Sequence, residues 1–413
     1  MAVPEKDKQV LRDLAKQIAE IASLPVQKQK AEMWTRHNRL ERVRPMVLTF
    51  PEGGWDELLD ESVIQTTDEF CRGLEWNLRA KLYLWEHMPG DHVVDDVIHS
   101  PIHIHDSGWG VTANPIYTDD KAGAARYEPV VRTEEDLDLI KTPRIDVDWE
   151  ATKRHQEKLA DIFGGILGIK PRGCSGFWFS PMDDFITWRG IGQTFIDMMD
   201  RPEWVHRAMN RLLTGALARL DQLEQQGLLS PNWDNSYIGS GALGFSDQLP
   251  QPDFDGKRVR SNDMWGHATT QIFSEVSPAM HEEFALQYEK QFLSRFGLNC
   301  YGCCEPLDKK VDLITRNLPN LRRISMSPWV DVERGAAALG KKYIFNCKPN
   351  PALLAGETWN PDYVRSYLRD VLEKTKGCVV ELVMKDTHTC RNEPHRFWEY
   401  SRIALELAEE YAG

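Results

Sequence analysis

Apolar residues in the second half of the chain follow two alternating spacings, which predict helices separated by short strands. In some segments they recur every three or four positions, as on the buried face of a helix. These predicted helices cover 148–163, 202–226, 277–296, 308–318, 332–339, 360–376 and 394–411. Short apolar or aromatic runs, typical of buried strands, lie between them at 164–169, 175–180, 297–301, 321–326, 343–347 and 378–384.

Residue types at the helix starts and the spacing of the strands indicate the fold class. Ser277 can cap a helix whose first position is Pro278, and Asn360-Pro361 starts another. Strands recur at intervals of roughly 20 to 35 residues, which favours a parallel α/β sheet covered by helices. Because at least six such units fit, the prediction is a closed (β/α)8 TIM barrel rather than an open doubly wound sheet.

The first 90 residues differ from the rest. Leu11, Leu14, Ile18 and Ile21 lie on one face of an amphipathic helix in a charged segment. Residues 1–90 are therefore predicted to form an N-terminal helical extension packed on a barrel of residues 91–413. Within the barrel, 90–145 is richer in Pro, Asp and His and is predicted to be an insertion or cap.

Composition and charge exclude several classes of protein. The chain has 413 residues and a formal net charge of -13, so a nucleic-acid partner, which requires a basic surface, is not expected. No apolar run approaches the roughly 20 residues of a membrane span. The charged N-terminus lacks the pattern of a secretion signal. Eight scattered cysteines then predict a cytoplasmic protein with mostly free thiols.

Sulfur and oxygen donors follow three of the predicted strands. Segment 299–307 places three cysteines within five positions, and Cys303, Cys304 and Glu305 come after its strand. Cys347 ends a later strand, and His388 follows the last one. Because the active sites of (β/α)8 barrels lie at the carboxyl ends of the strands, these loops could converge on a zinc ion with one open coordination position. The alternative is that each cysteine is a packing residue, as buried free cysteines commonly are.

The order of several segments resembles the uroporphyrinogen decarboxylase superfamily, which includes zinc-dependent, corrinoid-linked methyltransferases. The matching stretches are 127–138, 277–284, 297–307, 346–354 and the last helix. The resemblance implies a (β/α)8 barrel with its site at the strand carboxyl ends. The methyltransferase branch carries a His-x-Cys pair where this chain has Asn299 and Tyr301, so the predicted ligands are shifted along the chain.

The resemblance, together with the sulfur, oxygen and nitrogen side chains that could bind a metal, predicts a zinc-dependent methyltransferase. It would move a methyl group between a small methylated substrate and a corrinoid carried by a partner protein. Cys303, Cys304, Glu305, Cys347 and His388 are the predicted metal ligands, and His388 and Glu305 the predicted catalytic residues. A methoxylated aromatic would suit a pocket of tryptophans, for which the predicted side chains are Trp109, Trp178, Trp265 and Trp329.

Two alternatives stay open at this point. One is a decarboxylase of a carboxylated ring, which would need no metal and would rely on Arg, Asp and backbone donors. The other is a barrel that binds a corrinoid or tetrapyrrole without catalysis. A further glycine-rich segment, 239–244, lacks the spacing of a dinucleotide-binding loop and is interpreted as a flexible loop at a strand end.

Overall fold

Six parallel strands form the central sheet of the computed structural model, which describes residues 3–117 and 125–412. The strands along the chain are β1 (Met46–Thr49), β2 (Val97–Pro101), β3 (Ile104–Asp106), β4 (Asn114–Ile116), β5 (Arg126–Glu128), β6 (Ile145–Val147), β7 (Gly168–Arg172), β8 (Tyr237–Ile238), β9 (Ala242–Leu243), β10 (Trp265–Ala268), β11 (Leu298–Tyr301), β12 (Leu321–Met326), β13 (Ile344–Cys347) and β14 (Val379–Met384). The central sheet has the order β1-β14-β13-β12-β11-β10.

Helices account for most of the remaining chain. The α-helices are α1 (Glu5–Ala22), α2 (Pro25–Asn38), α3 (Trp55–Leu58), α4 (Glu69–His87), α5 (Trp149–Phe163), α6 (Pro181–Arg189), α7 (Ile191–Asp200), α8 (Pro202–Gln225), α9 (Pro278–His281), α10 (Gln287–Leu293), α11 (Val311–Asn317), α12 (Val332–Leu339), α13 (Ala352–Ala355), α14 (Pro361–Lys374) and α15 (His395–Glu410). A π-helical segment, Glu282–Leu286, joins α9 to α10. Of the described residues, no helix combines the length and the apolar character needed to cross a membrane.

The predicted alternation of strands and helices in the second half is confirmed. Strand β12 and helix α12 have the predicted bounds, and α8 and α14 differ from theirs by one or two residues. The Ser277 side chain caps α9 by accepting a hydrogen bond from the Met280 backbone N–H, and Asn360 caps α14 in the same way. Segment 175–180 forms only an isolated bridge, between Phe179 and Ala268, so the strand predicted there is wrong.

The sheet is parallel, as predicted, but a closed barrel is not shown. In residues 3–117 and 125–412, the edge strands β1 and β10 do not pair with each other, and β2 pairs separately with β7. All six strands nevertheless run in one direction, so their carboxyl ends share one edge of the sheet. That edge positions the candidate site.

The first 90 residues are more than a helical extension, because β1 lies within them and pairs with β14. Helices α1, α4 and α5 share a separate apolar cluster that includes Leu11, Leu78 and Phe163. The boundary at residue 90 stays a prediction. In the predicted insertion, 90–145, short antiparallel pairs form between β3 and β6 and between β4 and β5. Residues 118–124 of that insertion lie outside the described residues.

In the glycine-rich segment 239–244, interpreted as a loop at a strand end, residues 239–241 form a turn directly after β8, and this turn belongs to a hairpin packed against the sheet. Strands β8 and β9 pair across it, and their side chains share an apolar cluster with Leu48, Cys300 and Val383 of the central sheet. At Gly239 the backbone has φ of 55°, and a Cβ there would lie 2.7 Å from the Cβ of Cys300. Glycine permits this backbone conformation and this close approach.

Replacing Gly244 with alanine is expected to destabilise the protein by about 1–3 kcal/mol, the usual cost of overpacking. Its added Cβ would overlap the Asn232 carbonyl oxygen, while the Gly244 backbone N–H is held by the Ser236 carbonyl. Urea unfolding measures the loss. Gly192→Ala is the matched control, because a Cβ there meets no atom within 4 Å, and it is expected to be neutral or slightly stabilising. Equal stability of the two variants would contradict close packing of the hairpin.

Candidate active site

Loops that follow β11, β13 and β14 bring reactive side chains together at the carboxyl edge of the sheet. Cys303 and Cys304 follow β11, Lys348 follows β13, and Lys385 and Asp386 follow β14. Gly302 turns the chain after β11 with φ of 83°, a conformation that favours glycine. The apolar strands thus deliver polar residues to one edge, as parallel α/β sheets generally do.

Two adjacent thiols form the centre of this site. The Sγ atoms of Cys303 and Cys304 lie 3.3 Å apart, and the Ser240 hydroxyl donates to Cys303 Sγ at 3.2 Å. Cys304 Sγ also lies 3.4 Å from Asp386 Oδ2. Cys303 is buried whereas Cys304 is exposed. The hairpin therefore holds the buried thiol from one side and its neighbour holds it from the other.

The surroundings favour the anionic form of Cys303. The hydrogen bond from Cys304, the Lys385 charge and the Ser240 hydroxyl lower the pKa of Cys303 to about 7, although burial opposes the shift. The same hydrogen bond, together with burial and Asp386, raises the pKa of Cys304. Cys303 is consequently the thiolate of the pair, and Cys304 stays protonated as its hydrogen-bond donor.

Two lysines supply positive charge to the thiol site. Lys385 Nζ lies 3.6 Å from Asp386 Oδ1 and 4.0 Å from Glu52 Oε1. Lys348 is buried, and its ammonium donates to the Ser240 carbonyl oxygen. Burial lowers the pKa of Lys348 to about 8, helped by the nearby Lys385 charge. The site thus combines a thiolate with a potential proton donor.

Glu305, predicted as both ligand and catalytic residue, is placed as a support for the loop. It is fully buried. Its Oε1 accepts from the Thr269 hydroxyl at 2.8 Å and its Oε2 accepts from the Cys303 backbone N–H at 2.9 Å. Because both carboxylate oxygens are already bonded, Glu305 fixes the backbone at Cys303.

Cys347 and His388 are not brought to the thiols as a ligand set. Successive strand side chains face opposite sides of a sheet, and the Asn346 amide donates to Glu381 on one side. Cys347 lies on the other side, near Tyr367 of α14 and Tyr400 of α15. Burial raises the pKa of Cys347 to about 12. His388 is exposed, and its ring lies beside Gly53.

The described side chains do not fit the predicted zinc centre. Within residues 3–117 and 125–412, no three His, Cys, Asp or Glu side chains converge into a group that could hold a metal ion. A catalytic zinc site requires three protein ligands and an open position. Of the predicted ligands, Cys303, Cys304 and Glu305 are neighbours, but Glu305 faces the Cys303 backbone rather than the sulfur atoms.

The four tryptophans predicted to line one pocket have different environments. Trp265 is buried in the core, and Trp109 is partly buried against α8. Trp329 is exposed, whereas Trp178 is half-exposed and packs on His267. Trp178 and Trp265 line one cavity beside β10, and Trp109 and Trp329 do not line it, so the four do not form a single pocket.

Sequence reasoning missed Ser240, Lys348 and Lys385 as site residues. Lys348 and Lys385 each follow a buried strand directly, so a search for polar residues at strand ends could have found them. Ser240 lies on the hairpin, whose packing against the sheet carries no periodic signal. Deeper in the sheet, the buried Arg323 guanidinium lies 2.6 Å from Glu381 Oε1 and forms an ion pair with it.

The sequence matches no family model and no curated protein. Among solved structures, a methyltransferase from Methanosarcina mazei is similar in fold. The match covers 72% of this chain and 76% of the methyltransferase chain, with 9% sequence identity and a TM-score of 0.42. A likeness of this extent assigns neither a family nor an activity to the chain.

Proposed function

We propose that the chain is a methyltransferase whose reactive group is the thiolate of Cys303. The observation that carries the proposal is the placement of a buried thiol between Cys304 and Ser240, with Lys385 nearby, at the carboxyl edge of a parallel sheet. Thiolates are strong nucleophiles toward carbon, and a lowered pKa keeps a large fraction ionised at neutral pH. Methyl as the transferred group comes from the resemblance to the corrinoid-linked branch.

The proposed step is a direct displacement. Cys303 Sγ attacks the methyl carbon, forming an S–C bond while the bond from that carbon to the substrate heteroatom breaks. The electron pair leaves with the heteroatom, which takes a proton. Lys348 is suited to supply that proton because burial lowers its pKa to about 8. Cys304 would stabilise the thiolate before attack by donating its S–H.

Zinc, predicted from the sulfur and oxygen donors together with the resemblance, and a corrinoid-carrying partner, predicted from the resemblance, both stay predictions. The described side chains form no three-ligand group, so no step of the proposal passes through a metal. The corrinoid protein would be the acceptor of the methyl group held on Cys303. The decarboxylase alternative also stays a prediction, but the buried Arg323 that could bind a carboxylated ring is already paired with Glu381.

Alkylation of the native protein tests the proposed nucleophile. We expect iodomethane at pH 7 to methylate buried Cys303 at least about tenfold faster than exposed Cys304, because reactivity follows the thiolate fraction. Peptide mass spectrometry of segment 299–307 locates the added methyl group. Cys303→Ser should remove the fast phase. Cys304→Ala removes the S–H donor, so it should keep the fast phase but move the pH of its half-maximal rate above 7. Faster reaction at Cys304 would contradict the assignment.

Methyl transfer itself is tested with trideuteromethyl ethers, thioethers and amines in place of iodomethane. We expect one of these classes to label Cys303 in the wild type and to leave Cys303→Ser unlabelled. If iodomethane labels Cys303 but none of the three classes does, the thiol is reactive and the methyltransferase proposal is wrong.

A further inference from the structure

A cavity of about 530 Å³ lies between helices α2, α4 and α15 and segment 88–95. Cys303, Cys304 and the two lysines of the candidate active site do not line it. Much of its wall is apolar, with side chains that include Met33, Leu84, Trp85, Met88, Val93 and Leu405. A concave, largely apolar cavity of this size is typical of a site for a small organic molecule.

Lys30, on α2, differs from the other two cations that line the cavity. Arg44 Nη2 lies 2.6 Å from Asp91 Oδ1, and the two side chains form an ion pair. Lys81 Nζ lies 4.0 Å from Asp95 Oδ1. By contrast, no carboxylate oxygen of the described residues lies within 4.0 Å of the Lys30 ammonium. The cavity therefore holds one positive charge that the described residues leave without an anionic partner.

The surroundings of the Lys30 ammonium leave it ready to bind an anion. Its Nζ donates to the His92 carbonyl oxygen at 3.2 Å and lies 5.2 Å from the centre of the Trp85 ring. Because His92 and Trp85 both line the cavity, the ammonium lies at its wall. Burial lowers the pKa of Lys30, although the Asp91 charge opposes the shift. An ammonium has three N–H donors, and a ligand carboxylate would offset the cost of its burial.

We infer that this cavity binds a carboxylic acid with an apolar body, whose carboxylate accepts hydrogen bonds from Lys30. The two acidic residues of the wall do not require a cationic ligand: Asp95 accepts from the Asn235 amide at 2.9 Å, and Glu409 is exposed to water. An uncharged ligand would leave the Lys30 charge unpaired. The inference goes beyond the proposed function and does not depend on the chemistry of Cys303.

Calorimetric titration with four probes tests the inference: 4-phenylbutanoate, 4-phenylbutan-1-ol, 4-phenylbutylamine and acetate. The first three share one apolar body and differ in the head group, whereas acetate has the carboxylate without the body. We expect 4-phenylbutanoate to bind with a dissociation constant on the order of 0.1–1 mM, within the range for a ligand of this size. The alcohol should bind about tenfold more weakly, because a hydrogen bond to a charged acceptor is stronger. The amine and acetate should not bind measurably.

Lys30→Met separates binding of the carboxylate from packing of the apolar body, because methionine keeps much of the aliphatic stem of lysine. We expect this variant to bind 4-phenylbutanoate about tenfold more weakly and the alcohol with unchanged affinity. Lys28→Met is the matched control: Lys28 is also on α2, its side chain is 83% exposed, and it does not line the cavity. It should leave both affinities unchanged. An equal loss for both ligands in Lys30→Met would contradict a contact with the carboxylate.

Two further variants keep the test informative if Lys30→Met does not fold. Leu84→Ala shortens a partly buried side chain of the cavity wall and should weaken 4-phenylbutanoate and the alcohol alike. Unchanged affinities in Leu84→Ala would place the ligand outside this cavity. Cys303→Ser should bind 4-phenylbutanoate as tightly as the wild type, which separates this inference from the proposed function.

Nuclear magnetic resonance of ¹³C-methyl methionine locates the bound ligand. Met33 and Met88 line the cavity, whereas Met326 is buried in the central sheet on β12. Saturating 4-phenylbutanoate should shift the methyl resonances of Met33 and Met88, assigned with Met33→Leu and Met88→Leu, and leave that of Met326 in place. Unchanged Met33 and Met88 resonances would overturn the inference. Absence of 4-phenylbutanoate binding, equal affinity for the alcohol, or tighter binding of the amine would overturn it as well.

Discussion

Replacing Glu381 with alanine is expected to lower the free energy of unfolding by about 3–5 kcal/mol, the usual cost of leaving one partner of a buried ion pair uncompensated. Glu381 and Arg323 are both buried, and Arg323 Nη2 lies 2.6 Å from Glu381 Oε1. His37 Nε2 lies 3.0 Å from the same oxygen. Burial alone would raise the pKa of Glu381, but Arg323 and His37 more than offset it and hold that pKa far below its usual range.

The ion pair also joins helix α2 to the sheet. Arg323 Nη2 donates to Asn38 Oδ1 at 2.6 Å, next to His37 at the end of α2. Removal of the carboxylate would therefore leave a buried guanidinium and loosen this helix. Arg323→Met should cost a similar amount, because it leaves an unpaired carboxylate.

A double-mutant cycle measures the pair directly. The double variant Arg323→Met, Glu381→Leu should lose less than the sum of the single variants, since it leaves no unpaired charge. Urea unfolding at pH 7 supplies all four free energies. The control is Arg365→Ala, at the partly exposed pair with Glu406, where we expect a loss of at most about 1 kcal/mol. A loss below about 1 kcal/mol for Glu381→Ala would contradict the expected role of the pair.

Much of the fold could be predicted because apolar spacing reports which side of an element is buried. β14 is buried at every position and is apolar except at Glu381, so it stands out in the sequence. β12 is nearly as buried, although it contains Arg322, Arg323 and Ser325. β1 is also buried at every position, but it is only four residues long. It lies in a charged segment whose residue pattern predicts helices. Its membership of the sheet depends on pairing with β14, more than 300 residues away, which local spacing does not encode.

The position of the candidate site could be predicted from the sequence, but only some of its residues could. The rule that sites lie at strand carboxyl ends selected Cys303 and Cys304, which do follow the carboxyl end of β11, while their role in a site stays a prediction. It could not separate them from Cys347, because the side of the sheet that a residue faces depends on a one-residue register within the strand. Ser240 could not be predicted, since its contact with Cys303 joins a hairpin to a loop 63 residues later in the sequence.

A second buried carboxyl, Glu289, is expected to make the protein less stable as the pH rises. It is fully buried on α10, where Thr270 and Tyr301 hydroxyls donate to its two oxygens at 2.7 and 2.8 Å. Burial raises the pKa of Glu289 to about 8, although these two hydrogen bonds oppose the shift and the charges of Glu305 and Asp183 add to it. The folded protein therefore keeps a proton that the unfolded chain loses near pH 4.5.

The sign of the pH effect follows from proton linkage. Stabilisation by the protonated Glu289 is complete below pH 4.5 and is lost as the pH rises toward 8, because unfolding releases the proton throughout that window. At about 1.4 kcal/mol per pH unit, the loss of unfolding free energy between pH 5 and pH 8 is on the order of 3–4 kcal/mol.

Other buried groups also titrate, so the quantity to measure is the difference in unfolding free energy between wild type and Glu289→Gln, whose amide does not titrate. Urea unfolding at half-unit intervals from pH 5 to pH 9 gives that difference, which should fall steadily and level off above pH 8. Tyr301→Phe is the matched control: it removes one hydrogen bond that favours the carboxylate, so its decline should continue to higher pH. Parallel profiles for wild type and Glu289→Gln would show that Glu289 is ionised in the folded protein and would contradict the raised pKa.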